Sequence, residues 1–310
     1  MIKVATYTTV ADLDLAGISA LYSLTGLALE PLAGGAANSS FRATSDQGTH
    51  VLTILDNHDH ASALRLAEHT EALFSLGLPT VEIVRNAAGD SVSLLDGKPI
   101  LLKSWIPGRS VDELPPDLLP AAGALLARLH MLPTDRVPQL PAGTRRLSPA
   151  HEAAIVDFPD REFAAWLTAR LAAVRDREAG LPPRAQVISH GDVFTDNLVV
   201  RPTGDLALLD WETVSLDSDL LDLGMTLLGL ANAGGRLDAG RAALIVDGYT
   251  KTRPLTPADL AALPDHTEHA ALIIAFHRYH RHNIRFPNPA KAVIHREMIA
   301  FVDSLEGAGR

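Results

Sequence analysis

The segment from His190 to Glu212 constrains this chain more than any other. It reads His190-Gly-Asp-Val-Phe-Thr-Asp-Asn197, then Leu198-Val-Val200, then Pro202-Thr-Gly-Asp205, then Leu206-Ala-Leu-Leu209, and ends on Asp210-Trp-Glu212. Short apolar runs either side of a Pro- and Gly-bearing turn predict a hairpin. That hairpin folds Asp210 back beside Asn197. Two side-chain oxygens then converge, a donor set suited to a hard cation such as magnesium, whose shell is completed by waters and phosphates. Asp192 lies on the same loop, placed to accept the proton of a hydroxyl aimed at a metal-bound γ-phosphate. Transfer of a phosphoryl group from a nucleoside triphosphate needs this set. Scattered acids on a solvated loop would account for Asp192 alone, but not for the whole framed pattern.

The pattern resembles the aminoglycoside phosphotransferase and choline kinase superfamily, whose catalytic segment reads H-G-D-x-x-x-x-N followed by a D-[FW]-[DE] metal site. His190, Gly191, Asp192, Asn197, Asp210, Trp211 and Glu212 match it position by position. Within the superfamily the chain is most similar to the type II homoserine kinases. The Gly34-Gly35-Ala-Ala-Asn38 loop, the Val51-Leu-Thr-Ile-Leu55 strand and the segment Gly248–Thr256 carry that likeness. The resemblance implies an α+β, two-lobed protein-kinase-like fold. A small β-rich nucleotide-binding lobe would span 1–104, and a larger, mainly helical catalytic and substrate-binding lobe 105–310. It further implies Asp192 as the catalytic base, Asn197 and Asp210 as ligands of Mg2+, and ATP or GTP as co-substrate. The acceptor would be the hydroxyl of homoserine or a similar hydroxylated amino acid. An aminoglycoside- or choline-type phosphotransferase and a regulatory pseudokinase remain open alternatives. In relatives an acid at the place of Asp222 braces the catalytic loop by accepting backbone N–H bonds.

Upstream, apolar residues at near-helical period predict a helix over residues 10–25. Asn38–Ala43 and His50–Leu55 read as two strands joined at Ser45–Gly48. The loop before them can cover phosphates through Gly34, Gly35, Asn38 and Ser39, because small residues let backbone N–H groups reach anionic oxygens. A Gly-Gly pair equally marks a plain turn. A helix over 60–76 and strands near Thr80–Val84, Ser91–Leu95 and Pro99–Ser104 follow. Trp105-Ile-Pro-Gly108 resembles an inter-lobe hinge, where the backbone of Lys103, Trp105 and Ile106 would hold the adenine. Helices are predicted at 117–131, 150–178, 220–230, 239–250, 257–263 and 268–283.

Thr53 stands where protein kinases place a phosphate-gripping Lys. The homoserine kinase subgroup also tends to lack that Lys. The phosphates would then lean on magnesium, loop N–H groups, and Arg42 or Lys103. On the acceptor side, His277–Arg285 holds three His and three Arg in an otherwise acidic protein. Arg278, Arg281 and Arg285 fall near helical spacing, and an Arg fork matches a carboxylate. The same segment also reads as a solvated basic helix face. Glu212 is a further candidate beside the acceptor.

The chain of 310 residues can build two lobes with ample core. Its net charge of −10 argues against a general nucleic-acid binder. Cysteine is absent, which rules out disulfides and thiolate metal sites. No apolar run reaches membrane-spanning length and the start lacks a signal-peptide pattern. A cytoplasmic enzyme, monomeric or homodimeric, is expected.

Overall fold

The computed structural model describes residues 8–32 and 38–307. Two-residue periodicity organises the first part. Ala28–Pro31 (β1), Ser39–Ser45 (β2), Gly48–Ile54 (β3), Ile83–Val84 (β4), Ser93–Leu95 (β5) and Lys98–Ser104 (β6) form a six-stranded sheet among the described residues. Its order is β1-β2-β3-β6-β4, with β5 also pairing β6. The register sets Arg42 opposite Val51 and Val51 opposite Lys103, and likewise Ser40 opposite Thr53 and Thr53 opposite Leu101. Cross-strand partners share a face. Arg42, Thr53 and Lys103 therefore lie on one face. Phe41, Leu52, Ile54, Ile100 and Leu102 lie on the other, where they form a core with Ile18 and Tyr22 of Leu15–Tyr22 (α1). On the first face His60–Ser75 (α2) packs Ala63 and Ala67 against Leu55 and Leu101.

Differences from the sequence reading have local causes. The single helix expected over 10–25 is a 3-10 turn at Val10–Asp12 followed by α1. Asp14 caps the second piece by accepting from Gly17 N at 3.0 Å, and so restarts the helix. β1 was not foreseen; its Pro31 is tolerated because β1 is an edge strand. The strand expected at Thr80–Val84 keeps only β4. Pro79 O instead accepts from Leu208 N at 2.8 Å, and Thr80 Oγ1 accepts from Trp211 Nε1 at 2.9 Å.

From residue 119 onward helices dominate: Leu119–His130 (α3), Pro149–Ile155 (α4), Arg161–Ala179 (α5), Asp219–Leu230 (α6), Ala239–Thr252 (α7), Pro257–Tyr279 (α8) and Arg296–Gly307 (α9). The helix expected at 150–178 breaks before Asp160, whose carboxylate caps Phe163 N at 3.0 Å. The two helices expected at 257–263 and 268–283 are one. α8 runs through Pro264 because packing from Ala270 to Phe276 offsets the backbone bond that proline removes. It then widens into a π-helix over His280–Arg285. Four short strands, Val187–Ser189 (β7), Leu198–Val200 (β8), Leu206–Leu208 (β9) and Ser215–Asp217 (β10), lie between α5 and α6. α3 and α7 cross at glycines: a Cβ on Gly248 would sit 2.0 Å from Pro120 O. Among the described residues, no helix is long and apolar enough to cross a membrane.

Candidate active site

β8 and β9 pair as the predicted hairpin, with Leu198 opposite Leu208. Leu198, Leu206, Leu208 and Trp211 are buried in the core shared with α3, α6 and α7. One more bond, Leu209 N to Asn197 O at 2.9 Å, continues the pairing and sets Asp210 one residue beyond the position opposite Asn197. Asp210 adopts φ 65, a left-handed conformation uncommon outside glycine. Asn197 Nδ2 donates to Asp192 O at 2.8 Å, which leaves its Oδ1 available as a ligand. The hairpin also meets the inter-lobe segment. Arg109 N donates to Val200 O at 3.0 Å, and Val200 N to Arg109 O at 2.9 Å.

The loop carrying Asp192 is held from beneath. Asp222 of α6 is wholly buried and accepts from His190 N and Gly191 N, both at 2.7 Å. His130 Nε2 lies 3.0 Å from the same carboxylate, and His130 Nδ1 is 2.7 Å from the Tyr249 hydroxyl. Burial pushes the Asp222 carboxyl upward, but the His130 contact and the loop N–H groups outweigh it and hold it below the usual range. Gly191, at φ 76, makes the turn that only glycine adopts without strain.

Asp192 itself is paired with a residue the sequence reading missed. Arg145 Nη2 donates to Asp192 Oδ1, and Arg145 Nε donates to Gly191 O at 3.1 Å. Arg145 sits in the Pro- and Gly-bearing stretch Pro141–Ser148, which has no hydrophobic period to mark it.

Asp210 and Glu212 form an acidic pair under the sheet. Burial and the neighbouring Glu212 charge push the Asp210 carboxyl up. Burial would raise Glu212 too, but His58 and Asn38 hold it below its usual value. His58 Nε2 lies 3.6 Å from Glu212 Oε1, and the carboxylate raises the imidazole above its ordinary value. Asn38 Nδ2 donates to the same Glu212 oxygen, which ties the exit of the glycine loop to the acids. The Asn38 Oδ1 is buried without a partner among the described residues. Lys103 also faces this pair. Burial pulls its ammonium below the usual lysine value, while Asp210 and Glu212 act to raise it. Lys103 stands on β6, beside β3, on the same sheet face as Thr53.

The remaining candidates divide. Gly34 and Gly35 lie outside the described residues. Ser39 shares the core-side face with Phe41, and its hydroxyl donates to Asp56 Oδ2 at 2.6 Å; Ser40 occupies the cleft face beside Thr53. Trp105 lies under the Arg42 guanidinium, 5.2 Å from its centroid. Among the described residues, the backbone groups of Trp105 and Ile106 have no protein hydrogen-bond partner. The basic cluster is not one face, because the π-helix shifts the helical register. Arg278 donates to Glu297 Oε2 at 2.6 Å, toward α9. Arg281 and Arg285 lie over Phe286, at 5.8 and 5.0 Å. His277 and His280 instead turn toward His151 of α4. Burial, then the Arg145 charge, push His277 down to about 3.

Comparison with known proteins follows this geometry. The model of a phosphotransferase enzyme family matches residues 28–255. A homoserine kinase of Methylobacillus flagellatus is 30% identical over 252 residues, covering 79% of this chain and 77% of that protein. A homoserine kinase of Methylobacillus glycogenes is 27% identical over 281 residues, covering 90% and 87%. An amicoumacin kinase in complex with AMP-PNP and Ca2+ superposes with a TM-score of 0.71 at 16% identity, covering 95% and 92%. A spectinomycin phosphotransferase with ADP and spectinomycin gives 0.67 at 14% identity, covering 95% and 96%. The likeness extends over both the sheet and the helical part, so the chain has the two-lobed, α+β kinase-like fold of these enzymes.

Proposed function

Because the chain belongs to the phosphotransferase enzyme family, we propose that it moves the γ-phosphate of ATP to the side-chain hydroxyl of homoserine. It is a small-molecule kinase with an alcohol as acceptor. The observation that carries the chemistry is the braced loop of Asp192 beside Asn197 and Asp210. The acceptor assignment is supported by the two curated homoserine kinases it aligns with along most of their length.

The residues at 197 and 210 suit Mg2+. Both offer hard oxygen donors. Among the described residues Asp210 receives only a 3.3 Å bond from Glu212 N, and it is pushed up by burial and by Glu212, so this corner holds negative charge that a divalent cation neutralises. When bound, the ion offsets charge on the phosphates and fixes their orientation. Lys103 adds a second cation. The base lies against the unpaired backbone of Trp105 and Ile106, and the lobe boundary falls between residues 104 and 105. Asp192 orients the acceptor hydroxyl and takes its proton as the oxygen–phosphorus bond forms. The bond from the γ-phosphorus to the bridging oxygen breaks, and ADP leaves. General-base help of this kind is worth about 10²–10⁴ in rate. Consumption of ATP supports a cytoplasmic setting for the enzyme.

The test is an acceptor panel of homoserine, choline, methylthioribose and kanamycin with Mg-ATP. Nucleotide consumption with homoserine, and a phosphate ester on its side-chain oxygen, is the expected result. Consumption with a cationic acceptor alone would overturn the assignment.

A further inference from the structure

We propose that Arg145 selects for a carboxylate on the acceptor, leaving Asp192 for that carboxylate when the acceptor binds. The inference rests on the homoserine reading above. Asp192 must accept a proton, yet without acceptor its carboxylate is occupied by Arg145 Nη2. A guanidinium held on Oδ1 takes up lone pairs that the acceptor hydroxyl could otherwise meet. The pair therefore describes the resting site.

The anchor of Arg145 is fixed, while its head is partly exposed and bonded only to Gly191 O and Asp192 among the described residues. Gly143 N donates to Leu216 O at 2.9 Å and Leu216 N to Pro141 O at 2.8 Å, which pins the loop to β10. Next along, Arg146 Nε contacts both Asp217 oxygens at 2.8 and 3.0 Å. Ser148 then caps α4 by accepting from His151 N at 3.2 Å. The Arg145 side chain itself is 22% exposed. Among the described residues its Nη1 finds no acceptor, so one edge of the fork stands open beside Asp192.

Position decides between the available cations. In a short hydroxy acid, the hydroxyl aimed at Asp192 and the carboxylate lie within one side chain's reach of each other. The residue holding the carboxylate must then stand next to Asp192, and Arg145 does. Arg278 is already engaged by Glu297 and Ile294 O. His277, hydrogen-bonded to the Arg145 backbone, is neutral at physiological pH and adds no competing positive charge. An acceptor without a carboxylate would offer Arg145 no other partner and would leave it on the base.

The experiment compares kcat/KM for L-homoserine and for 3-amino-1-propanol, which is homoserine without its carboxylate. Wild-type enzyme should strongly prefer homoserine. Arg145→Met should lose on the order of 10²-fold on homoserine, the worth of a charge-assisted hydrogen bond, and should lose nothing on the amino alcohol, for which it frees Asp192. Arg145→Lys, which keeps charge without the fork, should fall between. Equal losses on both acceptors would make Arg145 a support for the loop or the phosphates and would overturn the inference, leaving the homoserine reading intact. A wild-type enzyme that ignores homoserine would sink both. Should the Met variant not fold, inhibition of the wild type decides. L-2-aminobutyrate should compete with homoserine and propylamine should not, and equal inhibition contradicts the proposal.

Discussion

Asp222→Asn removes a charge that three buried donors share. His190 N and Gly191 N reach it at 2.7 Å and His130 Nε2 at 3.0 Å. An amide offers one oxygen and one NH2 in their place. Whichever way it turns, an NH2 faces a donor inside a fully buried site. Breaking a buried, hydrogen-bonded charge pair costs about 3–5 kcal/mol. At about 2–4 °C per kcal/mol, the melting temperature should fall by roughly 6–20 °C. Turnover should fall as well, because His190 and Gly191 no longer set the height of Asp192. Calorimetry and steady-state rates on the same preparation measure both. The pH dependence is fixed in sign. The folded carboxyl is held below its unfolded value, so its contribution is complete above about pH 3.9, the unfolded value. It is lost as pH falls through the folded value, and the gap between wild type and variant should close on acidification. A variant that melts within about a degree of wild type, or a gap that widens in acid, would refute the brace.

Two further outcomes follow from particular contacts. Lys103→Met should raise KM for ATP by about tenfold, the effect of losing one modest charge contact to phosphate, with a smaller change in kcat; unchanged nucleotide kinetics would show the cation to be structural. Gly248→Ala drives a methyl into Pro120 O at the α3–α7 crossing. Overpacking of this kind costs about 1–3 kcal/mol, so the melt should drop by several degrees while kcat at low temperature is retained. An unshifted melt would mean that the helices separate freely.

The chemistry was legible where spacing alone fixed geometry. The hairpin that carries Asn197 and Asp210 at its two ends pairs as its apolar runs and turn foretell, Leu198 opposite Leu208. Asp222 could be placed by its likeness to relatives. Lys103 was a candidate for the adenine through its backbone beside the hinge, and for the phosphates through its charge. Its approach to Asp210 depends on sheet register, which joins β3 to β6 across the whole α2 insertion. Arg145 was invisible because it reaches Asp192 from a loop 47 positions earlier, without period or motif. The basic run at 277–285 misled on direction. Helical spacing put its arginines together, but Arg278, in the last turn of α8, points toward α9, while Arg281 and Arg285 fall in the π-helix that follows and lie over Phe286. Pro264 misled in the same manner, since packing against α5 and α6 overrode a local breaker.

The most direct test of the account is turnover of Asp192→Asn, with Mg-ATP binding measured calorimetrically on the same sample. Loss of about 10²–10⁴ in kcat with nucleotide affinity kept is the predicted result. Near-normal turnover would contradict it, because the residue assigned to take the proton would then be dispensable.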